Sequence, residues 1–288
     1  GFDKVFDVNM GADITTMVEA GELIERLESG EHLPMFTSCC PGWVKYVEFY
    51  HPELIPNLTT SRSPQIHSGG AYKTWWAKKV SIDPKDIVIV SVMPCTSKKY
   101  EAHHDKLNIN GLRPVDYSLT TREIAQMIRN HKIDFAKLKP SEVDAEGLYS
   151  GAAVIYGASG GVMESALRTA HFLVTGKELE KIDLKEVRGY KGIKKATITI
   201  GDLKLKVAVV ATPKNIQHIL RELKLNPHAY DYIEFMSCPG GCLGGGGQPN
   251  PSSKRIVEQR IKGIYAIDKK MQMRRAHENP VMQDSLNM

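Results

Sequence analysis

Apolar residues in the 288-residue chain follow two rhythms. Short, dense runs rich in β-branched residues predict strands at "LPMFTS" (Leu33 to Ser38), "DIVIVSVMP" (Asp86 to Pro94) and "DYIEFMS" (Asp231 to Ser237). The second of these suits a fully buried strand. "KATITIGDLKLKVAVV" alternates on both sides of Gly201-Asp202 and predicts a hairpin. The other rhythm is helical. From Ile14 to Glu28, Met17, Ala20, Ile24 and Leu27 form one apolar stripe, with Asp13 as the N-cap. "AAVIYGASGGVMESALRTAHFL" reads as a strand, a glycine-rich turn and a helix. Strands and helices in alternation predict an α/β fold. We expect two lobes, each a small mostly parallel sheet flanked by helices, divided in the polar, turn-rich "KPSEVDAEGLYSG" near residues 140 to 150. Lobe one then runs over roughly 30–145, and lobe two over roughly 146–270 with the N-terminal strand.

Composition narrows the class. A hydrophobic content of 42% can bury a sizeable core at this length. No apolar run approaches the roughly 18 residues of a membrane span, and no signal peptide opens the sequence, so a cytoplasmic location is expected. A net charge of +5 is a mild excess, and no arginine-rich tract or stacking-aromatic motif points to nucleic acid. The basic stretch Lys181 to Lys195 reads as a solvated face. "GASGGVME" lacks the spacing of either nucleotide-binding glycine motif, and reads instead as a tight turn bringing backbone close to a bound group.

The five cysteines carry the chemistry. Cys39 and Cys40, Cys95, and Cys238 and Cys242 each follow a predicted strand directly, the sheet edge at which open α/β sheets bind ligands. Inert core thiols would have no reason to share that position. Paired CxxC knuckles for a structural zinc are missing, whereas a 4Fe-4S cluster takes four thiolates from distributed positions. "CPGGCLGGGGQP" adds backbone N–H groups able to approach cluster sulfurs. One cysteine of the adjacent pair, one at 95 and the CxxxC pair make four ligands in a cleft between the lobes. Either Cys39 or Cys40 is left over. Pro41 suits the first turn of a following helix.

"TSCCPGW", "MPCTSKKYEA" and "EFMSCPGGCLGGGGQP" resemble the three signature motifs of the iron-only (FeFe) hydrogenase catalytic domain, as do "FDVNMGADITTMVEAGELIERL" and Tyr149 to Arg168. The likeness covers nearly the whole chain. It implies reversible hydrogen oxidation and proton reduction at an H-cluster, a 4Fe-4S cluster joined to a two-iron subcluster with CO, CN and bridging dithiolate ligands. It implies Cys40, Cys95, Cys238 and Cys242 as ligands, with Cys242 bridging to the two-iron part. Lys98 would hydrogen-bond a cyanide, Met93 and Met236 would pack around the diatomic ligands, and Tyr156 and Gly157 would line the pocket. Alone, Lys98 reads as a surface lysine.

Cys39 becomes the last thiol of a proton relay that runs, by the same resemblance, from Arg26 and Glu22 through Thr59 to Glu19. Glu19, Glu22 and Arg26 are spaced i, i+3 and then i+4 on one helix. By pattern alone that stripe is a solvated face. Thr59 stands where the resemblance implies serine. No ferredoxin-type cysteine run accompanies these motifs, so the accessory ferredoxin-like domains are absent from this chain. The short segment implied before "GFDKVFD" is missing, and the chain ends short of an implied histidine-bearing tail, as the core of a larger polypeptide would. Electrons would come from ferredoxin or from iron-sulfur, nicotinamide-linked or formate dehydrogenase subunits, and maturation proteins would build the two-iron site. Two rivals are a Narf-like iron-sulfur protein without hydrogenase activity, against which Cys39, Lys98, Glu19 and Glu22 argue, and a hydrogen-sensing module, against which the retained Cys39 argues.

Overall fold

A computed structural model of the chain describes residues 1–141 and 144–287. Part of the expected boundary segment, residues 142 and 143, lies outside the described residues. The first half contains α1 (Asn9–Ser29), β1 (Met35–Phe36), α2 (Pro41–Tyr50) and α3 (Pro64–Ala71), which runs through a π turn into α4 (Ala77–Lys79). It continues with β2 (Val90–Met93), α5 (Ser97–Ala102), β3 (Tyr117–Thr120) and α6 (Thr121–Asn130). The second half adds α7 (Gly151–Ile155), α8 (Gly161–Thr175), the hairpin β4 (Ile193–Ile200) and β5 (Leu203–Ala211), and α9 (Pro213–Leu225). It closes with β6 (Tyr232–Met236), α10 (Lys254–Lys270) and α11 (Pro280–Leu286).

Among the described residues the strands make two sheets, β1-β6-β5-β4 and β2-β3. β1, β6 and β5 are parallel, β4 is antiparallel to β5, and β2 is parallel to β3. The α/β class with small, mostly parallel sheets holds. The larger sheet takes its edge strand β1 from residues 35–36 and its other strands from residues 193–236, so it draws on both halves of the chain.

Alternation explains why β5 and β6 read as nearly continuous apolar runs. Leu205, Val207, Val209 and Tyr232 face Leu23, Met163 and Leu167 of α1 and α8. Ala208, Val210, Ile233 and Phe235 face Trp43, Ile216 and Ile219 of α2 and α9. With helices on both faces, every position of β6 and Val207–Ala211 of β5 are inside, while the start of β5, Leu205 apart, is exposed.

The structure corrects four expectations. Asp13 is not a cap: α1 begins at Asn9, and Asp13 is fully buried within it, accepting hydrogen bonds from Ser150 N (2.8 Å) and Oγ (2.5 Å) and from Asn279 Nδ2 (2.9 Å). Burial raises its pKa to about 7. The predicted strand in "AAVIYG" is helix α7, started by the Ser150 hydroxyl accepting from Ala153 N–H. β2 is shorter than predicted and partly open, with Val92 44% exposed, and among the described residues it pairs with β3 alone. The basic stretch is only partly a solvated face: Lys181, Lys185, Lys191 and Lys195 are exposed, but Leu184 and Val187 are buried and Lys194 is buried beneath the glycine turn.

Candidate metal centre

Every cysteine lies just past a strand end. Cys39 and Cys40 follow β1, Cys95 follows β2, and Cys238 and Cys242 follow β6. Because β1 and β6 are parallel neighbours, their carboxyl ends coincide. Cys40 directly precedes α2, with Pro41 in its first turn as predicted, so its side chain stands at the start of that helix. The glycines bring the remaining pieces together. A Cβ on Gly247 would lie 2.7 Å from Cys95 N, one on Gly245 2.3 Å from Pro94 O, and one on Gly42 2.8 Å from Ser237 Oγ. Only bare backbone allows the 239–247 loop to lie against Cys95 and the start of α2 against Cys238.

All five thiols are free. Burial, followed by the negative charge of Cys40 and Cys95, pushes Cys238 up to about 11 and Cys242 higher still. Four thiolates therefore need compensating cations at this place. Backbone N–H groups also point at the sulfurs: Ser237 N–H donates to Cys40 Sγ (3.5 Å), and a hydrogen bond from Gly246 N–H lowers the pKa of Cys238. Yet among the described residues no three Cys, His, Asp or Glu side chains are spaced to hold a single metal ion. A zinc would draw its ligands to about 2.0–2.3 Å. Four cysteines that share one electrostatic field without converging on a point, with amide donors to sulfur, fit a polynuclear iron-sulfur cluster.

The fifth thiol stands apart from these donors. Cys39 is buried with Tyr156, Met236 and Val162. Burial, then the charge of Glu19, raises its pKa well above the usual thiol value, so it holds its proton at neutral pH. Lys98 is buried as well. Its Nζ donates to Cys39 O (3.1 Å) and to Glu101 Oε1 and Oε2 (3.0 and 2.8 Å). Burial works against its charge, but Glu101 more than offsets this and raises the pKa. Lys98 is thus no surface lysine. Met93 and Met236 are 6% and 2% exposed. A Cβ on Gly157 would meet Cys242 Cβ at 4.0 Å, and Gly157 O accepts from Leu243 N–H (3.3 Å). The Tyr156 hydroxyl is buried with no hydrogen-bond partner, although it lies near enough to Glu19 to lower that group's pKa.

The predicted relay residues fall into two groups. Arg26 Nη2 donates to Glu22 Oε1 (2.6 Å), and Thr59 donates to the other oxygen of Glu22. Glu22 and Arg26 line a surface cavity of about 700 Å³ with Glu25, His32 and Thr60. Glu19 is separate: it accepts from the Tyr232 hydroxyl (2.5 Å), and burial raises its pKa to about 8. Among the described residues no hydrogen bond joins Thr59 to Glu19 or Glu19 to Cys39. The stripe is nonetheless no solvated face, since Glu19 and Arg26 are 1% and 8% exposed.

The family model described as "Iron only hydrogenase large subunit, C-terminal domain" matches residues 1–246. The chain belongs to the iron-only hydrogenase family. A second model, "Iron hydrogenase small subunit", matches residues 254–285. The chain is 47% identical to Iron hydrogenase 1 of Clostridium pasteurianum, over 98% of this chain and 50% of that protein. It is 44% identical to the periplasmic Fe hydrogenase large subunit of Nitratidesulfovibrio vulgaris (96% and 67%) and 42% identical to the NADP-reducing hydrogenase subunit HndD of Solidesulfovibrio fructosivorans (97% and 49%). The chain therefore spans between half and two thirds of these relatives' length. A solved structure of FeFe hydrogenase HydA1 from Chlamydomonas reinhardtii superposes with a TM-score of 0.86 at 37% identity, covering 100% of this chain and 80% of that one. Cytosolic Fe-S cluster assembly factor narfl of Danio rerio is more distant, at 31% identity.

Sequence reasoning missed four residues of this hydrogenase-family site. Glu101, three residues after Lys98 on α5, had a usable signal in that spacing. Gln65 Nε2 donates to Lys98 O (3.1 Å) and Glu101 Oε2 (3.0 Å), while Tyr232 and Ser237 meet Glu19 and Cys40. Gln65 reaches the site from a distant part of the chain, whereas Tyr232 and Ser237 lie in the strand and motif that lead to Cys238, where only their partners across the fold reveal their part.

Proposed function

We propose that this chain is the catalytic core of a hydrogenase that interconverts hydrogen with protons and electrons. The observation carrying this reading is the division of labour among five buried or half-buried thiols. Four share one electrostatic site with amide donors, and the fifth, Cys39, keeps its proton beside the Lys98–Glu101 pair. In this reading Cys40, Cys95, Cys238 and Cys242 would hold a 4Fe-4S cluster, and Cys242 would also join it to a two-iron subcluster with CO, CN and dithiolate ligands. When bound, that subcluster would supply the redox chemistry on hydrogen.

The protein's own part is to seat the cluster and move protons. The Lys98 ammonium presents a charge suited to an anionic cyanide ligand. Met93, Met236, Tyr156 and Gly157 wall the pocket and exclude water. Protons enter at Arg26 and Glu22 beside the surface cavity and pass by Thr59 to Glu19 and then Cys39. Glu19, titrating near 8, is largely protonated at neutral pH and can donate. The step from Thr59 to Glu19 needs a rotation of Glu19 away from Tyr232, or a bridging water. Electrons arrive from a ferredoxin or an iron-sulfur, nicotinamide-linked or formate dehydrogenase subunit. A nicotinamide-linked route is supported by the relative named as NADP-reducing. A surface cavity lined by Pro41, Gly42, Lys45 and Ser97 lies where such a partner would come close to Cys40. No described helix is long and apolar enough to cross a membrane, in keeping with the cytoplasmic location we propose.

Infrared spectroscopy of anaerobic protein, reconstituted with iron, sulfide and a synthetic two-iron complex, tests the reading. Carbonyl and cyanide stretches are expected. Their absence from protein that carries a full 4Fe-4S cluster would sink the hydrogenase assignment.

A further inference from the structure

Two glycine-rich segments meet at Cys242, the turn Gly157–Gly161 and the loop 239–247. Glycine allows the contact: a Cβ on Gly241, at φ +82°, would lie 2.7 Å from Ser159 N and 2.8 Å from Gly157 O. The hydrogen bonds across the seam are few and long, Ser159 N–H to Gly240 O (3.2 Å) and Leu243 N–H to Gly157 O (3.3 Å). Glycine segments have the most backbone freedom to lose on ordering, so the register of such a seam needs an outside constraint.

Two buried, charged side chains of the four-stranded sheet supply one. Lys194 on β4 is opposite Val209 on β5, and Val209 is opposite Glu234 on β6. Residues in one cross-strand row point to the same face, so Lys194 and Glu234 rise together beneath the turn. Glu234, with no exposed surface, accepts from Gly160 N–H (2.6 Å) and Met163 N–H (2.8 Å). Lys194 Nζ donates to Ser159 O (3.0 Å), Ser159 Oγ (3.1 Å) and Gly189 O (2.8 Å). An ammonium has three donors, and these three acceptors match them. Such burial of a lysine and a carboxylate is costly, and neither is used by the relay or the cluster ligands.

We propose that Lys194, together with Glu234, is a positioning residue for the iron site: it fixes the Gly157–Gly161 turn in register with Cys242 and so sets the geometry of the seat that Cys242 offers. The proposal rests on the reading of Cys242 as a cluster ligand. Lys194→Met keeps the length of the side chain and removes the donors; Lys194→Arg restores a cation with donors. Both are compared with the wild type after anaerobic 4Fe-4S reconstitution, by EPR-monitored redox titration, and then by infrared spectroscopy after addition of the two-iron complex. For Lys194→Met we expect a more negative midpoint, because a nearby cation no longer stabilises the reduced cluster. We also expect shifted or split carbonyl bands, and recovery of both signals in Lys194→Arg. A wild-type midpoint and wild-type bands in Lys194→Met overturn the proposal. Should that variant not fold, Ser159→Ala, which keeps the cation and removes one of its three acceptors on the turn, must shift or split the carbonyl bands; wild-type bands there overturn the proposal equally. If the wild type takes up the 4Fe-4S cluster but shows no carbonyl bands, the hydrogenase reading fails while the midpoint comparison still decides this one.

Discussion

Glu22 and Arg26 on α1 and Glu164 and Arg168 on α8 are the same pair at the same i, i+4 spacing, with contacts of 2.6 and 2.7 Å. Their surroundings differ. Arg168 is fully buried and forks onto both oxygens of Asp268 (3.0 and 2.9 Å), which also binds Arg274, while Glu164 takes two further bonds from Arg188. With Asp183, three carboxylates face three guanidiniums. On α1, Glu19 and Glu22 have one guanidinium between them, and Arg26 spends its other donors on the carbonyls of His32, Pro56, Asn57 and Leu58. The titration behaviour separates accordingly. Burial pushes Asp183 upward, but the bonds from Arg274 and Arg188 prevail and hold it at about 2, and Asp268 is lowered in the same way. Glu19, buried without a cation, rises to about 8. A buried cluster with matched charges is a bolt, whereas one short of cations keeps a proton available near neutral pH.

The sharpest way to break the comparison is Glu19→Gln. Turnover of reconstituted protein should fall roughly a hundred- to ten-thousandfold, as for loss of a proton-transfer group, while the melting temperature holds or rises. An unchanged rate would remove Glu19 from the relay. Arg168→Met should do the reverse. Removing one partner of a buried network costs about 3–5 kcal/mol, read by urea unfolding, with little change in turnover per loaded cluster. The smallest effect is in the pH profile of stability. Asp183 and Asp268 titrate below their unfolded value of 3.8, so their contribution is present above that value and lost as pH falls below it, through about 2 for Asp183. Glu19 titrates above its unfolded value of 4.5, so its contribution is full below about 4.5 and lost as pH rises through about 8. Melting temperatures should therefore decline on both sides, and Glu19→Gln should flatten the alkaline side alone.

The sequence made the iron site legible because its chemistry is local. Cysteine after strand, proline after cysteine and glycine after cysteine each have a mechanism that acts within a few residues, and the structure keeps all three. Spacing left Cys39 and Cys40 interchangeable; the family resemblance implied which was the ligand. What stayed hidden depends on partners far away in sequence. Asp13 has the chemistry of a cap, but Ser150 and Asn279 hold it inside α1. Lys194 sits in a run of lysines whose exposure it does not share, because Ser159 and Gly189 accept its protons. "AAVIYG" is apolar enough for a strand, yet Ser150 starts a helix there and α7 buries the same residues against α8 and α10.

The edge strand β1 is two residues long, and its register depends on β6 nearly two hundred positions later. No amino-terminal fragment ending before that strand can bring Cys40 up to Cys238, and none ending before Gly247 can close the loop over Cys95. During synthesis, then, the first three cysteines emerge long before they have a common destination. If these cysteines hold iron as proposed, its delivery waits for translation to pass Gly247, so that iron follows the pairing of β1 with β6 rather than guiding it.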